Sequence, residues 1–94
     1  MRVRYVPRAR AQLRRIGRYI AQDSPTAAQQ VVARITEAVD GLATFPTMGR
    51  PGRVIGTREL IVPGTPYVVA YRVHENAVEV LAVIHSAQQW PTSF

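Results

Sequence analysis

Tyr67-Val68-Val69-Ala70-Tyr71-Arg72-Val73-His74-Glu75-Asn76-Ala77-Val78-Glu79-Val80-Leu81-Ala82-Val83-Ile84-His85 is the stretch that decides the fold. Two runs rich in Val, Ile and Tyr flank a four-residue break, which is the signature of a β-hairpin. His74-Glu75-Asn76-Ala77 is the tight turn, and Asn76 tolerates positive φ. If Val73 faces Val78, Tyr71 faces Val80 and Arg72 faces Glu79 as a cross-strand ion pair. Strict alternation then places Tyr67, Val69, Tyr71, Val73, Val78, Val80, Ala82 and Ile84 on one face. The opposite face takes Val68, Ala70, Arg72, Glu79, Leu81, Val83 and His85. Both faces are apolar at their centres, so both need a cover.

Upstream, Thr57–Val62 reads as a third strand, separated from the hairpin by the turn Pro63-Gly64-Thr65-Pro66. Arg2–Val6 alternates in type and reads as a short first strand. A helix is expected from about Arg8 to Ala21, with Ala9, Leu13, Ile16 and Ile20 at spacings of four, three and four along one face. Ser24 is a good N-cap and Pro25 fits a first helical position, so a second helix starts there and runs to about Leu42. Ala28, Val31 or Val32, Ile35, Val39 and Leu42 form its buried stripe. The short link makes the two helices an antiparallel hairpin. Ala43–Gly56 holds three Gly and two Pro and is expected to lack regular structure. The class is α+β: a helical hairpin on one face of a small, mostly antiparallel sheet in the order β-α-α-β-β-β. Two helices cannot cover both faces, so the second face is expected to expose an apolar patch, with Trp90 of the tail packing on the sheet.

With 94 residues the chain reads as one domain, 1–94. It has no Cys, which excludes disulfides and thiolate metal sites. No apolar run reaches the ~20 residues of a membrane span and no signal-peptide pattern opens the chain, so a cytoplasmic protein without a membrane partner or cofactor is expected. The formal net charge is +6, and all twelve basic residues are Arg. Arginine makes planar, bidentate contacts with carboxylate and phosphate, which points to an acidic partner, protein or nucleic acid. A high-GC genome also favours Arg over Lys, but codon usage does not account for the net charge.

Several fragments, in order and at these spacings, resemble the RelE/ParE superfamily of bacterial toxins. They are Ser24-Pro25-Thr26-Ala27-Ala28, Phe45-Pro46 with Met48-Gly49-Arg50, Gly56-Thr57-Arg58-Glu59-Leu60, Pro66-Tyr67-Val68-Val69-Ala70-Tyr71-Arg72-Val73, and Val83-Ile84-His85 with Gln89-Trp90-Pro91. The resemblance implies a type II toxin–antitoxin module, whose toxin is wrapped by the disordered C-terminal part of a small antitoxin. That superfamily holds two activities. RelE-like members are ribosome-dependent mRNA endonucleases; ParE-like members bind and poison DNA gyrase.

Metal-free RNA cleavage needs a base for the 2′-hydroxyl, cations for the phosphate and an acid for the leaving oxygen. The candidates here are His85, Arg72, Arg58 and Arg50, with Arg53 in the same loop. His85 is the acid/base candidate by residue type, yet a lone His at a strand end also serves structure. Arg72 either faces a ligand or pairs with Glu79. Where the resemblance implies an arginine in RelE-like members, just after Tyr67, this chain has Val68. After the last strand, Ser86-Ala87-Gln88-Gln89 holds none of the basic residues often found there. The expectation is therefore a ParE-like gyrase-binding toxin, with ribosomal mRNA cleavage as the alternative. Candidate contacts for antitoxin or target are the helix stripe Arg10, Arg14 and Arg18, and the sheet residues Arg58, Val68, Ala70, Arg72, Leu81, Val83 and Trp90.

Overall fold

A computed structural model describes all 94 residues. The elements are β1 (Arg2–Tyr5), α1 (Pro7–Ala21), α2 (Pro25–Gly41), β2 (Arg50–Pro51), β3 (Arg58–Ile61), β4 (Tyr67–His74) and β5 (Ala77–His85). They build one five-stranded sheet in the order β1-β5-β4-β3-β2. All neighbours are antiparallel except β1 and β5. The α+β reading holds, with one addition. The Gly/Pro loop contains the two-residue strand β2, which pairs Arg50 with Glu59 and Pro51 with Arg58. Pro51 has no N–H to give, which suits an edge position.

Local chemistry sets the helix starts. Pro7 and Pro25 each sit in the first helical turn. Ser24 Oγ accepts from the Ala27 N–H at 3.1 Å, closing one of the orphan donors of the second helix. The hairpin turn has Glu75 at φ 50° and Asn76 at φ 60°, the left-handed pair of a type I′ turn.

The main core lies between the helices and one sheet face. Ile35, Val39 and Leu42 of the second helical segment meet Val69, Tyr71, Val78 and Val80, with Leu13, Ile16 and Ile20 of α1 packed alongside. Beyond Val80 the first strand no longer covers β5. There Gln12 of α1 accepts from the Val83 N–H at 2.8 Å, so the open strand edge is satisfied by a helix side chain.

The hairpin register is as expected from Val73↔Val78 through Arg72↔Glu79 to Tyr71↔Val80. It then breaks. Ala70 pairs with Ala82, so Leu81 is an extra residue on β5, a β-bulge. One extra residue moves every later side chain to the other face. Val83 therefore joins the helix-side core, while Ala82 and Ile84 join Ala70 and Trp90 on the opposite face. This corrects the alternation-based placement of Ala82, Val83, Ile84 and His85. The apolar run Val80-Leu81-Ala82-Val83-Ile84 offers no polar residue to mark the slip.

The second face is also not open. Val68, Ala70, Leu81, Ala82 and Ile84 are all buried. Trp90 of the C-terminal tail packs on Ala70, Ala82 and Ile84, and Phe94 and Val54 border a cavity beside Leu81. The chain supplies its own cover, from segments too irregular to read as structure in sequence.

Candidate functional site

The loop between α2 and β3 is fixed to the sheet by one buried phenol. Tyr71 Oη donates to the Pro46 carbonyl at 2.7 Å and accepts from the Gly49 N–H at 2.9 Å. A Cβ on Gly49 would stand 2.7 Å from that ring and hydroxyl, so only glycine fits. Arg58 donates to the Gly49 carbonyl at 2.7 Å and to the Thr47 carbonyl at 3.3 Å. Arg58 is thus turned towards the helix side, where it holds this loop. The residues that carry the superfamily resemblance here are largely those that fasten the loop down.

Anchored in this way, the loop delivers two arginines to the second sheet face. There Glu59 is almost completely buried, at 3% exposure. Its Oε1 accepts from Arg50 Nη2 at 3.0 Å and its Oε2 from the Arg53 backbone N–H at 2.8 Å, with Arg53 Nε at 3.7 Å. The Arg53 guanidinium lies 4.2 Å over the Trp90 ring, a cation–π contact.

A second carboxylate repeats the arrangement on the same face. Glu79 Oε1 accepts from Arg72 Nε at 2.7 Å, and Glu79 Oε2 accepts from Arg4 Nε at 3.1 Å and from Arg4 Nη2. These hydrogen bonds, from Arg72 first and Arg4 next, hold the Glu79 carboxyl below the usual glutamate range. The expected Arg72–Glu79 pair is present. Arg4 as its third member, and the Glu59 cluster, required contacts between β1 and β5 and between loop and sheet, which no local pattern announces.

His85 lies on the other face. It pairs with Tyr67 across the hairpin, and the two rings meet edge to face with centroids 5.5 Å apart. Its Nδ1 accepts from the Ala87 N–H at 3.0 Å. Burial pushes the Tyr67 phenol above its ordinary range, with Tyr19 adding to the effect. The four residues proposed for RNA chemistry are therefore not brought together. Arg50 and Arg72 are on the second face in separate carboxylate clusters, whereas Arg58 and His85 are on the helix side. Val68, where a cation was sought, is 4% exposed and holds the sheet. Val83 is buried on the helix side and cannot serve as a second-face contact.

On the outer surface of the hairpin, Arg14 and Arg18 border a shallow groove of about 720 Å³. Its floor is Gly17, Ala21, Ala28, Val32 and Ala33. Gly17 has Val32 at 3.4 Å from where its Cβ would stand, which lets the two helices approach closely. Arg10 instead turns back, with Nη2 donating to the Tyr5 carbonyl at 3.3 Å. No helix is long and apolar enough to cross a membrane.

A helical hairpin on a five-stranded sheet, with a glycine loop clamped to its third strand, defines a toxin of the RelE/ParE superfamily. Residues 3–90 match the family described as the ParE toxin of the type II toxin–antitoxin system parDE, and the chain belongs to that family. It is 51% identical over 90 residues to toxin Y4kP of Sinorhizobium fredii, covering 96% of this chain and 93% of that one. Among solved structures it resembles a chain of the chromosomal ParDE toxin–antitoxin system from P. aeruginosa, with a TM-score of 0.80 and 27% identity over 90% of this chain and 95% of that one. It also resembles a chain of the toxin–antitoxin complex RelBE2 from Mycobacterium tuberculosis, with a TM-score of 0.67 and 27% identity over 89% and 95%. The protein is the toxin of a type II toxin–antitoxin system.

Proposed function

We propose that this toxin arrests growth by binding DNA gyrase and is neutralised by a cognate antitoxin encoded beside it. The observation that carries the gyrase reading is the separation of His85 from Arg50 and Arg72 by the thickness of the sheet. A general acid or base must lie within hydrogen-bond reach of the group it serves, and the cations must surround the same phosphate. Here the imidazole is on one side and the second-face guanidiniums are on the other. A binding toxin has no such requirement. It needs a surface, and the apolar groove bordered by Arg14 and Arg18 suits a protein segment with acidic flanks. At equal identity, the TM-score is higher against the ParDE chain than against the RelBE2 chain.

The deciding experiment is a supercoiling assay with purified gyrase and increasing toxin. Inhibition that is unchanged by His85→Ala supports the reading. Normal supercoiling at excess toxin rejects it. The RelBE2 likeness keeps one other mechanism in view, ribosome-dependent mRNA cleavage. That mechanism requires codon-positioned cuts in translated transcripts that disappear with His85→Ala or Arg72→Ala.

A further inference from the structure

The second sheet face carries far more positive charge than folding requires. Arg4, Arg50, Arg53 and Arg72 meet only two carboxylates, Glu59 and Glu79. Arg2 lies two residues from Arg4 on the same side of β1, and Arg8 and Arg15 border the adjoining cavity beside Trp90. Both carboxylates are buried, yet the four clamped arginine side chains are 49–53% exposed. Each guanidinium has five N–H donors. Arg72 uses only Nε on Glu79, and Arg50 only Nη2 on Glu59. The carboxylates therefore fix the planes of the guanidiniums and leave most of their donors facing outward.

The two clusters also share one alignment. Glu59 stands opposite Ala70, and Glu79 opposite Arg72, so they are two residues apart along β4 and two strands apart across the sheet. From standard strand spacings that is about 12 Å. One extended polyanion reaches both.

We propose that this face binds the phosphate backbone of duplex DNA, so that the toxin engages gyrase together with its DNA. The proposal builds on the gyrase reading above. Duplex DNA is favoured over a peptide because Val68, Ala70, Leu81, Ala82 and Ile84 at the centre of the face are buried, and the groups that stand exposed around them are guanidiniums. It is favoured over single-stranded RNA because base stacking needs an open aromatic ring, and the Trp90 ring is capped by Arg53. What remains on offer is a set of oriented charge-assisted donors, which match phosphate oxygens.

The test uses purified toxin and a fluorescein-labelled 20-base-pair duplex, without gyrase, so its outcome is independent of the supercoiling result. Four phosphate contacts give a slope of log K against log salt of about −3.6, a loss of roughly 100-fold in affinity between 50 and 200 mM salt. Arg53→Gln and Arg72→Gln should each flatten that slope by about 0.9. Arg34→Gln, an equal charge loss on α2 beyond the opposite face, should leave it unchanged. A readout on the unaltered protein guards against misfolded variants. Trp90 is the only tryptophan in the chain, and its emission should change on adding duplex. A slope flatter than about −1.5, equal loss with Arg34→Gln, unchanged Trp90 emission, or tighter binding of single-stranded RNA or of an acidic peptide than of duplex would each overturn the proposal.

Discussion

Removing a single oxygen from Tyr71 should loosen the loop that carries Arg50 and Arg53. In Tyr71→Phe the ring still fills its place among Val69, Val78 and Val80, so no cavity forms. The loss is confined to two hydrogen bonds, to the Pro46 carbonyl and from the Gly49 N–H. Gly49 is buried, so its N–H is left without a partner, at a cost of about 1–3 kcal/mol. Pro46 is half-buried and its carbonyl finds water more readily, which adds about 0.5–1.5 kcal/mol. A total near 2–4 kcal/mol is a large part of the 5–15 kcal/mol that holds a typical domain. For a chain of this length each kcal/mol lowers Tm by about 4–8 °C, so a fall of at least about 8 °C is expected. Urea unfolding gives the free energy, and amide exchange at Gly49 and Arg50 shows whether the loop opens ahead of the rest. A loss below about 0.5 kcal/mol, with exchange at Gly49 unchanged, would refute the claim that this phenol holds the loop.

Two further outcomes follow from other groups. The hydroxyl of Tyr5 is buried with no hydrogen-bond partner, and burial first, then the nearby Asp40 charge, pushes its pKa up to about 12. Tyr5→Phe should therefore raise stability by about 1 kcal/mol, visible as a higher Tm; a lower Tm would show that the hydroxyl has a partner after all. Glu79 is held below the ordinary glutamate range by Arg72 and Arg4, so its contribution is present above the unfolded pKa and disappears as pH falls through the folded value. The stability difference between the wild type and Glu79→Gln, measured by urea unfolding, should shrink as pH drops below about 4.3. A difference that stays constant from pH 6 to pH 3 would contradict the assigned ion pair.

Local signals were legible in the sequence wherever polar and apolar residues contrast. Ser24-Pro25 marks a helix start because a hydroxyl and a fixed φ each do a distinct job there. Arg72 and Glu79 gave the register of the hairpin because opposite charges select each other across a ladder. The bulge at Leu81 was hidden because every neighbour is apolar, so one phase of alternation looks as good as the other. Arg4 and Arg53 were missed as partners of Glu79 and Glu59 because their contacts span 75 and 6 residues and depend on how β1 and the loop meet the sheet. The tail was legible only at Trp90. Its role as a lid over Ala70, Ala82 and Ile84 becomes visible once the bulge has turned the last two to that side.

The bulge also has an evolutionary consequence. A point substitution changes one side chain, whereas loss of the single residue Leu81 would restore plain alternation and exchange the faces of everything after it. His85 would then emerge among the arginines, and Ile84 would turn inward. A gene need lose only one codon to bring an imidazole beside a ready set of guanidiniums, and need gain only one to take it away. A single-residue change in β5 thus re-faces the whole end of the strand, a difference that percentage identity barely registers.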